Sequence, residues 1–254
     1  MSSKEYDAIA DEVYRGHLSG EIVASPALEA LTPEEGLQVQ LAVLDRLRAD
    51  GEEIGGWKIG MTSGSGRDAM GKGVRPFGYI LKSRIHASGS TVALGPKGPD
   101  EIEPELDFRV EHPLKGTSLT AKAVRNAVSP AIPSFELLAS RLKGTANPGA
   151  AIASGLSNWG LVLAQPSGWR GDIADVAATL HRDGELVGKA GPQFEIDDPM
   201  QSIITLCRTL DRFGLGLERG QHIITGAFHR SAVEAPGKWT GSFAGVGAVE
   251  ITFT

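Results

Sequence analysis

The spacing of apolar residues changes at Gly51, and that change limits what the chain can become. Before it, TPEEGLQVQLAVLDRLRADG carries Leu37, Leu41, Leu44 and Leu47 at helical spacing. Thr32 stands where an N-cap belongs, Pro33 at the first helical position, and Glu35 completes a capping box before Gly51 ends the run. After it, short runs take over: GWKIGM, GYIL, STVAL, EPELDFRV, NWGLVLA, HIITGAF and the closing GVGAVEITF all read as strands. Most of the 33 glycines fall in this part, as tight turns between short strands require. In ATLHRDGELVG, Asp183-Gly184 sits between two strand-like arms and predicts a type I′ hairpin. A short helix is expected at TAKAVRNAV, whereas the periodicity of IPSFELLASRL assigns it to neither class. DDPMQSIITLCRTLDRFG is a second capped helix, with Asp198 as cap, Pro199 as start and Met200, Ile203, Ile204, Cys207 and Leu210 as its buried stripe. Helices first, then many strands without strict alternation, give an α+β fold and not a doubly wound sheet.

Several function classes fall away. A net charge of -6 lacks the basic stripe of a nucleic-acid binder, and no apolar stretch approaches a membrane span. The first residues carry charges where an export signal has its apolar region, so a cytoplasmic protein is expected. One cysteine rules out an internal disulfide and a cysteine-based zinc site, and Cys207 on a buried stripe reads as core. No Ser or Cys has a nucleophile-elbow context, and GKGVRPFG lacks both the Walker A and the dinucleotide pattern.

Chemistry is concentrated in a few acids and one lysine. In EIEPELDFRV the period of two puts Glu103, Glu105, Asp107 and Arg109 on one face, with Ile102, Leu106, Phe108 and Val110 on the other. Neighbouring carboxylates repel unless the face is solvated or a cation lies between them, and a solvated outer face accounts for these ten residues by themselves. Glu136 in PSFELLASR is a third acid, in an apolar setting where burial without a partner is costly; it either faces water or pairs with Arg141, or shares a cation with the other two. Three carboxylates without His or Cys form a hard-ligand set suited to Mg²⁺ or Mn²⁺. Lys58 in GWKIGMTS is either an ordinary sheet-surface lysine or one that projects into a glycine-floored cavity to steady an oxyanion or move a proton. His181 and His229 are isolated and read as structural or exposed.

Taken in order, KIGMTS, IEPELDF, PSFELLASR, ITGA and GVGAVEITF resemble the fumarylacetoacetate hydrolase superfamily. Within it the chain is similar to the branch of 2-hydroxypenta-2,4-dienoate (2-keto-4-pentenoate) hydratases and 4-oxalocrotonate decarboxylases. The resemblance implies a mixed β-roll of layered sheets with flanking helices, assembled as a homo-oligomer. It divides the chain into a helical segment, 1–55, packed on a catalytic domain, 56–254, or leaves a single domain of 1–254. It makes Glu103, Glu105 and Glu136 ligands of Mg²⁺ or Mn²⁺ and Lys58 the catalytic lysine. The implied activity is that of a divalent-metal-dependent lyase, acting on a small 2-oxo or 2-hydroxydienoic acid through a metal-bound enolate, first of all a hydratase. Decarboxylation of a 4-oxalocrotonate-type dioate, acylpyruvate C–C hydrolysis and oxo-acid tautomerisation are the alternatives, and a metal-retaining binding protein without catalysis is a different class. His86 and His229 lack the acid neighbour that a hydrolase's base would need.

Two segments depart from the family pattern. Where hydratases have Pro-acid-aromatic-Gly, this chain has Arg75-Pro76-Phe77-Gly78, so an acid is missing; where they have an Asp-Asn-Ala-Ser-like stretch, it has Gly155-Leu156-Ser157-Asn158-Trp159. Arg75 and Asn158 are candidate substitutes that would bind substrate, Arg75 by holding a second carboxylate, and Thr225 in ITGA is a third candidate contact.

Overall fold

The capping box forms as expected: the Thr32 hydroxyl accepts from the Glu35 N–H and the Glu35 carboxylate accepts from the Thr32 N–H at 2.9 Å. The computed structural model describes residues 3–96, 98–142 and 147–254. Three helices come first, α1 (Ser3–Ser19), α2 (Pro26–Glu29) and α3 (Pro33–Ala49). Then follow β1 (Ile54–Ile59), β2 (Phe77–Leu81), β3 (Ile85–Ala87), β4 (Thr91–Val92), β5 (Glu101–Arg109), α4 (Ala121–Ala127), β6 (Ile132–Leu138), α5 (Pro148–Ala153) and β7 (Asn158–Leu163). The chain ends with β8 (Ala178–Arg182), β9 (Glu185–Ala190), α6 (Pro199–Asp211), β10 (His222–Ala227), β11 (Ser231–Ala232), β12 (Gly237–Phe243) and β13 (Gly247–Phe253). Asp198 caps α6 through the Gln201 N–H, and Asp183 and Gly184 both take positive φ, 51° and 86°, in the β8–β9 hairpin.

The strands build two sheets. One runs β2-β1-β10-β5-β6-β7-β3, with β11 added to β5; the other runs β4-β13-β12-β8-β9. Pairing is mixed: β1–β10, β3–β7 and β4–β13 are parallel and the rest antiparallel. The first sheet curls until its ends meet, so that Ile80 of β2, Leu161 of β7 and Ile224 of β10 form one small apolar cluster. The second sheet lies against the outside of this curl. A Cβ at Gly241 of β12 would stand 2.7 Å from the Phe135 ring of β6, so a side chain at this contact would not fit.

That layering explains why 132–138 resisted assignment. Every residue of β6 is buried, one face under the second sheet and the other inside the curl, and the inner face mixes Ile132 and Leu138 with Ser134 and Glu136, so the alternation is blurred. It also corrects the solvated-face reading of β5: Glu105 and Asp107 are 3% and 0% exposed, because the acid-bearing face turns inward, and Arg109 at the strand's end is the member that reaches solvent. STVAL contributes only the two residues of β4. The sequence reading missed α5 and β12, the latter with three glycine and serine residues in seven.

The helices are stitched to this body. Gly36 of α3 approaches Gly149 of α5 so closely that a Cβ there would lie 2.2 Å from the Gly149 carbonyl oxygen. Gln40 of α3, fully buried, donates to the carbonyls of Phe77 and Ile152 at 2.9 and 2.8 Å. Cys207 lies wholly inside the core under α6, where burial pushes its thiol up to about 12, a packing residue and not a nucleophile. Among the described residues no helix is long and apolar enough to cross a membrane.

Candidate active site

Strand register brings the three acids together. Glu103 of β5 lies directly opposite Glu136 of β6, and Glu105 follows one pleat along, opposite Ser134. One carboxylate oxygen from each lies within 4.8 Å of the others. Lys58 enters from β1, three strands away, roughly 14 Å on a flat sheet at the usual strand spacing. Its Nζ is nevertheless 2.6 Å from Glu136 Oε1, which only the curl makes possible.

The lysine sits in a tight cradle. Its Nζ also donates to the Leu156 carbonyl at 3.3 Å. A Cβ at Gly78 of β2 would stand 2.5 Å from the Gly155 carbonyl oxygen and 3.0 Å from Lys58 Cγ, so glycine is required for the lysine to lie where it does. Gly155, Leu156 and Ser157 all have left-handed φ, 71°, 55° and 60°. For Leu and Ser that conformation stores about 1–3 kcal/mol each, and strain of this kind collects where geometry serves function. This turn aims the Leu156 carbonyl at Lys58 and starts β7 so that Asn158 Nδ2 donates to Glu136 Oε1 at 2.8 Å.

The charges do not balance. Glu136 Oε1 receives both Lys58 and Asn158, while Oε2, buried, has no hydrogen-bond partner. Glu105 Oε2 accepts the Gly226 N–H at 2.8 Å; Gly226 has φ 153° and no room for a Cβ, which would fall 2.8 Å from Thr62 Oγ1. Burial, then repulsion from Glu136, lifts Glu103 to about 7, and burial with repulsion from Glu136 and Glu103 lifts Glu105 well above the carboxylate range. Burial alone would lower Lys58, but Glu136, Glu103 and Glu105 outweigh it and keep it an ammonium.

Such a site fits a hard divalent cation. It offers three carboxylates, one with an orphaned buried oxygen, and among the described residues no His or Cys joins them. Two oxygens on opposite sides of one Mg²⁺ stand about 4.2 Å apart, and on Ca²⁺ about 5 Å, so the observed spread needs little adjustment. The triad and Lys58 form the floor of a cavity of about 240 Å³, walled by Met61, Thr62, Ser63, Leu138, Leu156 and Ser157, with Arg230 on its lining.

The remaining sequence candidates are placed elsewhere. Glu136 does not pair with Arg141, which lies past the end of β6; Lys58 takes that role. Arg75 is outside the cavity lining, its Nε on Asp197 at 2.5 Å and its Nη1 on Asp68 at 2.7 Å. Thr225 is buried next to Gly226 with its hydroxyl unpartnered, and it too is absent from the lining. His86 stacks on Trp159 at 5.7 Å and His229 packs against Gly188, both away from the acids. Sequence reasoning missed Arg230 and named Leu156 and Ser157 only within the stretch 155–159 that departs from the family pattern; the only trace of Arg230 was its place five residues after Thr225 of ITGA.

No family model matches the chain. It is 24% identical over 261 residues to a 2-keto-4-pentenoate hydratase of Paraburkholderia xenovorans (strain LB400), covering 100% of this chain and 96% of that protein. Its fold superposes on a 4-oxalocrotonate decarboxylase from Pseudomonas putida G7, solved with magnesium and adipate, with a TM-score of 0.90, 21% identity and coverage of 100% and 99%. A protein assigned to the fumarylacetoacetate hydrolase family from Yersinia pestis CO92 matches with a TM-score of 0.61 and 15% identity, over 78% of this chain and 92% of that one. The chain is thus similar along its whole length to the hydratases, and it shares its fold with the decarboxylase and with the fumarylacetoacetate hydrolase family protein.

Proposed function

We propose that the chain is a divalent-metal-dependent lyase of the 2-keto-4-pentenoate hydratase type, adding water to a small 2-hydroxydienoic acid. The observation that carries this reading is the surplus of buried carboxylate around one ammonium at the floor of a small cavity. Glu103, Glu105 and Glu136 would hold the cation, Mg²⁺ or Mn²⁺ by their donor chemistry. A cation bound there supplies Lewis acidity toward the carboxylate and C2 oxygen of a 2-oxo acid.

The protein's own groups do the rest. Lys58, fixed by the Leu156 carbonyl and Glu136, presents an ammonium to negative charge that develops on the C2 oxygen. In the reaction the C2 enol loses its O–H proton and C5 gains one, leaving a conjugated enone; the hydroxyl of water then bonds to C4 and C3 takes the second proton. One water is added in all. Thr62, Ser63 and Ser157 are the neutral polar side chains of the wall that can orient that water. Asn158 holds the Glu136 carboxylate in its rotamer without competing for the orphaned oxygen.

The test is direct. Freshly prepared 2-hydroxypenta-2,4-dienoate is given to the protein with Mg²⁺ or Mn²⁺, the dienol absorbance is followed and the product identified by mass, with an EDTA control. Metal-dependent formation of 4-hydroxy-2-oxopentanoate is expected, and no metal-dependent change with either ion would overturn the proposal. A second reading, decarboxylation of a dioic 2-oxo acid, is favoured by the match over the full chain to the decarboxylase fold.

A further inference from the structure

A substrate carboxylate in a confined site needs a cation that is not already taken. Among the described residues only two cations line the cavity, Lys58 and Arg230. Lys58, held by Glu136 at 2.6 Å, serves the C2 oxygen of the acid's head and not its tail. Arg230 meets Glu101 in a two-pronged pair, Nε to Oε1 at 2.9 Å and Nη2 to Oε2, and lies 3.7 Å from Glu103. The arginines just beyond the wall are paired as well: Asp197 accepts Nε from both Arg67 and Arg75, Glu195 accepts Nη1 of Arg67, and Asp68 accepts Nη1 of Arg75.

What remains of the wall is apolar or neutral. Met61, Leu138, Ala151 and Leu156 supply hydrocarbon, and Ser63 and Ser157 supply hydroxyls. A second carboxylate could reach Arg230 only by displacing Glu101, exchanging one Arg–carboxylate pair for another while leaving two acids, Glu101 and Glu103, beside the newcomer. A cavity of about 240 Å³ has roughly the volume of eight waters, which suits a short acid.

We infer that this enzyme takes 2-oxo and 2-hydroxydienoic acids with an uncharged tail and rejects dioates, and that the Arg230–Glu101 pair sets this choice by withholding Arg230 from the substrate. The inference rests on the proposed function, because it assumes that the 2-oxo acid head lies on the carboxylate triad. It also decides between the two readings of the reaction. A remote carboxylate to be lost as CO₂ would meet no unpaired cation among the described lining residues, which favours hydration.

The experiment is a calorimetric titration of the Mg²⁺-loaded protein with 2-oxopentanoate and with 2-oxoadipate, which share a head and differ in the tail carboxylate. Binding of 2-oxopentanoate about tenfold or more tighter is expected, the value of one charged hydrogen-bonded contact. Glu101→Gln frees Arg230 and should tighten 2-oxoadipate about tenfold while leaving 2-oxopentanoate unchanged. Equal or tighter binding of 2-oxoadipate by the unaltered protein overturns the inference and leaves the proposed function standing. If neither acid binds, or binding ignores Mg²⁺, the functional reading itself fails and takes the inference with it. The unaltered protein's preference decides the matter even if Glu101→Gln does not fold, and a folded Glu101→Gln that gains nothing for 2-oxoadipate counts against the pair as determinant.

Discussion

Two clusters of charge flank the cavity, and they are built on opposite principles. On one side, Arg67 and Arg75 meet Asp68, Glu195 and Asp197, every acid with a guanidinium partner at 2.8 Å or less. This clasp ties the segment that holds Met61, Thr62 and Ser63 to the run before α6, helped by Gly64 N–H to the Glu195 carbonyl and Asp197 N–H to the Thr62 carbonyl. Burial alone would raise Asp197, but Arg75 and Arg67 outweigh it and hold it below its ordinary value. On the other side, three carboxylates share one lysine, and burial with mutual repulsion pushes Glu103 and Glu105 up. A saturated cluster serves structure. An unsaturated one, kept inside a fold that could have replaced it with apolar residues, is arranged for something that arrives from outside.

The sharpest way to break this contrast is to remove an acid from the unsaturated side. Glu105→Gln should weaken Mn²⁺ affinity by about 100-fold or more, since even groups that only orient a ligand cost 10–100-fold, and turnover should fall with it. Without metal the same change should raise the melting temperature, because it relieves repulsion at a buried acid whose charge Lys58 and one backbone N–H do not fully offset. Calorimetry and thermal melts on one preparation check both. A metal-free protein destabilised by the change would mean that Glu105 is a structural acid after all.

On the saturated side the expectation inverts. Asp197→Asn leaves Arg75, whose side chain is 8% exposed, with only Asp68, and Arg67 with only Glu195. Stability should drop by about 1–3 kcal/mol, less than for a fully buried pair because Asp197 keeps some solvent, while Mn²⁺ affinity stays unchanged. Denaturant unfolding measures the first and calorimetry the second.

How much of this was legible in the sequence differs between the two clusters. The caps of α3 and α6 and the Asp183-Gly184 turn could be read because each rests on residues adjacent in the chain. So could the acids of β5, whose spacing of two is a local fact. Their burial could not, since it depends on a curl that brings β2 against β7. The clasp was invisible because Arg75 and Asp197 are 122 positions apart, and so Arg75 looked free to bind a substrate carboxylate. Resemblance to a family supplied the link between Glu103, Glu105 and Glu136 that spacing alone could not; the rewritten Gly155–Asn158 turn then needed coordinates to show that it still reaches Lys58 and Glu136.

The clusters should also part company in their response to pH. Glu103 has a folded pKa of about 7, above its unfolded value, so its contribution to stability is full below the unfolded pKa and is lost as pH rises toward and through 7. Asp197 and Asp68 are lowered, so their contribution is present above the unfolded carboxylate pKa and is lost as pH falls through their folded values. His17, dropped to about 4 by burial and by Arg141 and Arg84, gains stability with rising pH over part of the Glu103 window. The decisive quantity is therefore the difference between metal-free protein and its Glu103→Gln variant. The unaltered protein should lose a few degrees more of melting temperature between pH 5 and 7.5, a gap that saturating Mg²⁺ closes. An identical slope in the two proteins would place Glu103 with the balanced acids.

The smallest effect concerns the strained turn on the unsaturated side. Ser157 holds φ 60° with a side chain only part-buried on the cavity wall, so Ser157→Gly removes little packing and relieves a left-handed conformation. The relief of about 1–2 kcal/mol is partly offset by the chain entropy that glycine adds, about 0.5–1 kcal/mol, and the net gain in stability should be under about 1 kcal/mol. The same freedom loosens the aim of the Leu156 carbonyl and of Asn158, so turnover should fall severalfold while Mn²⁺ affinity, which the proposed function assigns to the three carboxylates, holds. A turn strained for its own sake would yield the stability with no greater loss of turnover than Ser157→Ala, which removes the hydroxyl and keeps the turn; a turn strained to hold Lys58 in place makes Ser157→Gly the slower of the two, and unfolding curves beside steady-state rates on both variants tell them apart.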